Sequence, residues 1–137
     1  MLLKLAFKFD AAHRLMHHKG LCHHIHGHTW KVEVALKGDP DKETGMIVDF
    51  ANVKERVEKH VLEFLDHACI INKQDFVKGF LKSQGFKYAE IDGEPTCENL
   101  AKMIYQQVKM TLSQQLYWVQ VWESENASAV YDEGEEL

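Results

Sequence analysis

The chain has 137 residues, 45% of them hydrophobic, enough for one globular unit with a single buried core. Its 16 basic and 21 acidic residues leave a formal charge of −5, which argues against nucleic acid as the main partner. Lys4, Lys8 and Asp10 interrupt the N-terminus too early for a signal peptide, no stretch is long enough to span a membrane, and Cys22, Cys69 and Cys97 are too irregularly spaced for a disulfide framework, so a single soluble domain in a reducing cytoplasm is expected.

From Leu3 the residues alternate. Leu3, Leu5, Phe7, Phe9, Ala11 and His13 share one face, and Lys4, Lys8 and Asp10 fall on the other, which predicts a half-buried strand. A histidine-rich connection follows, ending in Cys22-His23-His24-Ile25-His26-Gly27-His28. Trp30, Val32, Val34 and Leu36 then alternate with Lys31, Glu33 and Lys37, a second strand with His28 in phase with its apolar side.

Paired as an antiparallel hairpin, the two strands bring His13 close to His28. His26, two residues before His28, points to the same side in extended backbone. Three imidazoles therefore converge at one end of a sheet.

After a loop over residues 38–45, Asp49 is a candidate N-cap for a helix from about Ala51 to Leu65, with Val53, Val57, Val61 and Phe64 as its apolar stripe. Ile70 and Ile71 read as buried, and Phe76, Phe80 and Leu81 allow a short helix before Gly85; residues 86–94 show no pattern. Thr96 caps a helix from about Cys97 to Leu112, with Glu98 facing its positive end. Tyr117, Val119, Val121 and Glu123 share one face of a further strand and Leu116, Trp118 and Trp122 the other, with Ala127 to Tyr131 returning as the last strand and an acidic tail over residues 132–137. The order predicts an α+β domain, a four-stranded antiparallel sheet with helices packed on one face. Large apolar groups on both faces of the strand around Val119 suggest that a second subunit covers one of them.

Catalytic zinc commonly takes three protein ligands and leaves a fourth position open, and His13, His26 and His28 can supply the three. A histidine-rich tract can also bind metal without a defined site, but only these three are in phase on predicted strands. His17, His18, His23 and His24 read as solvated loop. Cys22 is either a fourth ligand closing a structural site or a free thiol beside an open one; a thiol of pKa ~8.5 needs a cationic neighbour to act as a base. Asp66-His67 is an acid/base pair or a helix-end cap. Glu123, on an otherwise apolar face, is an acid at an exposed strand end or one that meets a polar ligand.

Phe9-Asp10-Ala11-Ala12-His13-Arg14-Leu15, the Cys22 to His28 stretch, Gly45-Met46-Ile47-Val48-Asp49-Phe50, Leu65-Asp66-His67, Pro95-Thr96-Cys97-Glu98-Asn99 and Glu123 occur in an order that closely resembles the 6-pyruvoyl tetrahydropterin synthase family. A cysteine followed by three residues and then His-Gly-His resembles its branch of 6-carboxy-tetrahydropterin synthases, which act in the queuosine pathway; the animal-type pyruvoyl synthases have a longer gap. The resemblance implies the tunnelling fold, a homo-oligomer, commonly a hexamer built as a dimer of trimers, and active sites between subunits, so that zinc and Glu123 can come from different chains. It implies zinc (Zn2+) on His13, His26 and His28, Cys22 as the proton-transferring thiol with Asp66 and His67 as its relay, and Glu123, helped by Thr96, on the pterin. The implied substrate is the pterin 7,8-dihydroneopterin triphosphate. The stretch from Lys73 to Gly93 is longer than the family pattern. Rival expectations are a 6-pyruvoyl product or cleavage of a related dihydropterin, and a zinc-stabilised structural or binding domain with Cys22 as fourth ligand.

Overall fold

In the computed structural model, which describes residues 1–112 and 116–134, strand β1 (Leu2–His13) runs antiparallel to β2 (His26–Lys37) along its whole length, from Leu2 opposite Lys37 to His13 opposite His26. The alternation works as expected. Leu5, Phe7, Phe9, Ala11, Trp30, Val32, Val34 and Leu36 are buried on one face.

Beyond the loop, Asp49 caps α1 (Phe50–Val57), its Oδ1 accepting from the Ala51 N–H at 2.9 Å. The helix continues through a π-helical turn (Glu58–Leu62) into α2 (Glu63–Leu65). That turn corrects the predicted stripe: Val53, Val57, Val61 and Leu65 are buried, whereas Phe64 is exposed. At 3.6 residues per turn, steps of four overshoot by about 40° each. The wider π turn takes back part of the drift, so residues four apart stay over the core.

β3 (Cys69–Asn72), α3 (Val77–Ser83) and β4 (Tyr88–Ile91) follow, then α4 (Cys97–Thr111), β5 (Leu116–Ser124) and β6 (Ala127–Tyr131). The sheet has six strands rather than four, in the order β4-β3-β1-β2-β5-β6. It is mixed, because β3 pairs parallel with both β1 and β4. All four β3 residues are buried, and a strand covered on both faces shows no alternation to read.

The long helices lie on the histidine-bearing face, where Val53, Val57, Leu100, Ile104 and Val108 join one core with β1, β2 and β5. On the other face, Cys69, Ile71 and Leu81 form a smaller cluster under α3. A register shift opposite Leu36 corrects the start of β5: Leu116 packs on the core, and Tyr117 is exposed. The extra residue in one strand reverses the parity before it. Of the acidic tail, residues 135–137 lie outside the described residues.

Candidate metal centre and its surroundings

His13 ends β1, His26 and His28 open β2, and Glu123 lies near the end of β5. One donor atom from each of these four side chains falls within 4.8 Å of the others, and they are the one such group among the described residues. His13 Nε2 is 3.0 Å from His26 Nε2. Glu123 Oε1 is 3.1 Å from Nε2 of both His13 and His28. All four residues come from one chain, so nothing here requires Glu123 to be lent by a neighbour. In-register pairing puts His13 opposite His26, with His28 one step along on the same face opposite Ala11.

The donor set, three imidazoles and a carboxylate, suits a borderline divalent cation. His13 Nδ1 donates to the Pro95 carbonyl at 2.8 Å and His26 Nδ1 to the His24 carbonyl at 2.7 Å. In a neutral imidazole, such a bond puts the ring proton on Nδ1 and leaves Nε2 as a lone pair. Two such lone pairs 3.0 Å apart repel unless a cation lies between them. Nε2 of His28 is buried without a hydrogen bond, since the nearby Glu123 oxygen is poorly aligned for one. Burial holds the His13 imidazole below its ordinary range; the His26 and His28 charges act in the same direction, against the Pro95 carbonyl and Glu123. A neutral imidazole is the form that binds metal.

Trp30 forms the floor. It is fully buried, its Nε1–H donates to the Ala11 carbonyl at 3.1 Å, and its ring meets the His13 and His28 rings edge-on at 4.9 and 5.4 Å.

The other expected site residues lie apart from this group. Cys22 is half-buried in a 3-10 turn (Leu21–His23) and is not among the four clustered side chains, whose one non-histidine member is Glu123. Burial raises Cys69, and burial followed by the Glu123 charge pushes Cys97 up to about 11. Thr96 caps α4, its hydroxyl accepting from the Asn99 N–H at 3.2 Å.

Asp66 and His67 follow α2, with His67 Nδ1 3.1 Å from Asp66 Oδ1. His67 has a φ of 63°, in the left-handed region. Asp10 holds it there: the His67 N–H donates to the Asp10 carbonyl at 2.7 Å, and the Asp10 N–H donates to Asp66 Oδ1 at 3.1 Å. That Asp10 bond is the main reason the Asp66 carboxyl sits below its usual range. The His67 side chain is 78% exposed. A groove of ≈ 700 Å³ takes in His28 and His67, with Phe80, Leu81 and Phe86 on its wall.

Sequence reasoning did not find the Pro95 and His24 carbonyls or the floor role of Trp30. A main-chain acceptor has no residue-type signature. Trp30 was legible only as an apolar strand residue.

A family model described as 6-pyruvoyl tetrahydropterin synthase matches residues 2–134. A Haemophilus influenzae protein named 6-carboxy-5,6,7,8-tetrahydropterin synthase is 30% identical over 134 residues, covering 93% of this chain and 95% of that protein. A Dictyostelium discoideum 6-pyruvoyl tetrahydrobiopterin synthase is 30% identical over 133 residues, covering 90% and 89%. The solved structure of Caenorhabditis elegans 6-pyruvoyl tetrahydropterin synthase superposes with a TM-score of 0.77 at 26% identity, covering 98% of this chain and 96% of that one.

Proposed function

The chain belongs to the 6-pyruvoyl tetrahydropterin synthase family, and from that membership we propose that it is a zinc-dependent lyase, a 6-carboxy-5,6,7,8-tetrahydropterin synthase. It converts 7,8-dihydroneopterin triphosphate and water to 6-carboxytetrahydropterin, acetaldehyde and triphosphate, in the cytoplasm, as a step of queuosine biosynthesis. The observation that carries the metal is the donor set itself: three imidazole Nε2 atoms converge, two with their Nδ1 protons tied to main-chain carbonyls and the third buried without a hydrogen bond.

In this reading His13, His26 and His28 would hold zinc, which when bound would supply a Lewis acid beside the substrate side chain. Cys22 takes up and returns protons at the side-chain carbons. Asp66 orients His67 through the 3.1 Å contact to Nδ1, and the exposed imidazole edge moves the second proton. Glu123 accepts two hydrogen bonds from the amino-pyrimidine edge of the pterin. Its carboxylate, 3.1 Å from Nε2 of both His13 and His28, would hold the pterin ring beside the three histidines. Thr96 and adjacent main chain complete the pterin pocket. The functional assembly is a homo-oligomer, a hexamer of two trimers, with sites completed between chains.

Incubating zinc-loaded protein with 7,8-dihydroneopterin triphosphate should release acetaldehyde and triphosphate in equal amounts. Triphosphate without acetaldehyde would replace this reading with 6-pyruvoyl tetrahydropterin synthesis, the activity named for the Dictyostelium relative.

A further inference from the structure

No group between Asn72 and Glu94 has a part in the proposed chemistry, yet this stretch grips the loop that carries Cys22. Arg14 follows directly on His13. It is buried, and so is Asp75, whose side chain has no exposure at all. The guanidinium donates through Nε to Asp75 Oδ2 at 2.6 Å and through Nη2 to Oδ1 at 3.0 Å, a two-pronged charged pair. Its remaining arm, Nη1, reaches the His23 carbonyl at 3.4 Å.

The next residue, Leu15, donates its N–H to the Cys22 carbonyl at 2.9 Å. The carbonyls of Cys22 and His23 are thus both held from the Arg14-Leu15 pair. Asp75 is fixed in turn: Oδ1 accepts from the Val77 N–H at 3.0 Å, its own N–H donates to the Asn72 carbonyl at 2.8 Å, and the Phe76 ring lies 5.0 Å from the guanidinium. A second tie comes from Glu94, which accepts from the His17 N–H at 3.3 Å and from Asn72 Nδ2 at 3.2 Å.

Packing alone does not call for such a pair. Apolar residues of similar volume fill a buried site as well or better. What an apolar pair cannot do is hold a loop carbonyl from the guanidinium's free arm.

We infer that Arg14 and Asp75 are positioning residues for Cys22, and that the long segment after β3 serves as the anchor of the Cys22 turn. The inference rests on the role proposed for that thiol. The test is the double replacement Arg14→Met with Asp75→Leu, which keeps the buried volume, beside Arg14→Lys, which keeps a cation against Asp75 and gives up the fork. Zinc content and amide hydrogen exchange in β1 and β2 should match the wild type. Exchange over residues 20–24 should speed up by roughly tenfold or more, because the turn opens locally. kcat should fall by about 10- to 100-fold with KM within about twofold, the pattern of a misplaced reacting group.

Unchanged exchange over residues 20–24, or faster exchange with untouched turnover, would overturn the inference. Should the double replacement not fold, Arg14→Lys is read by the same two measurements. A wild-type protein without turnover would sink the proposed function instead, and the exchange comparison would then decide by itself whether the pair clamps the turn.

Discussion

Cys22 is the residue at which the proposed catalytic centre and a structural metal site would differ. Of the three thiols, Cys69 and Cys97 are pushed up by burial, and Cys22 stands half-buried on a short turn outside the donor group. The three histidines converge without it. Cys22→Ala should therefore keep zinc and melt within a few degrees of the wild type, while turnover drops by about 10²-fold or more, the usual size of a lost acid–base group. Metal analysis and thermal unfolding beside an activity assay check this. Loss of zinc in the variant would instead make Cys22 the closing ligand of a structural site.

Among the elements, β2 is both a core strand and the carrier of the candidate ligands His26 and His28, and Trp30 joins the two. The indole is wholly buried and holds the Ala11 carbonyl while the His13 and His28 rings rest against it. Trp30→Phe leaves that carbonyl without its donor and opens a small void, together worth about 2–4 kcal/mol. Urea unfolding of the metal-free variant should show a loss of that size. Zinc affinity should weaken by roughly tenfold, because ligands held less firmly lose metal affinity on the scale seen when outer-shell support is removed. Unchanged zinc affinity in a destabilised variant would confine Trp30 to the core.

At the scale of the whole molecule the sheet ends in two open edges, β4 and β6, each paired on one side only among the described residues. Val130 on β6 is exposed, and aromatic rings from Trp118 and Trp122 line the face away from the long helices, with Lys4 and Lys31 over them at 5.9 and 4.5 Å. Open edges invite strand pairing between chains. His67, largely exposed in one chain, would gain a water-excluding wall from a neighbour. Light scattering should accordingly give six times the 15.9 kDa chain mass. A stable 15.9 kDa particle would remove the shared-site arrangement.

The sequence by itself determined what depends on period and local chemistry: the β1–β2 hairpin, the side on which His13, His26 and His28 meet, and the caps Asp49 and Thr96. A two-residue repeat dictates which face a side chain takes, whatever the rest of the chain does. Tertiary structure alone decided the rest. β3 and β4 are four-residue strands, and β3 has no solvent face to mark it. The π turn moved Phe64 out and Leu65 in, and the shift before Trp118 turned Tyr117 outward, since one extra residue resets a period without leaving a sign in composition. Glu123, placed on its face by parity, found the histidines only through the register of β5 on β2. The carbonyls of Pro95, His24 and His23 were invisible for a different reason: every residue carries the same acceptor, and only the folded chain selects which of them receives a proton.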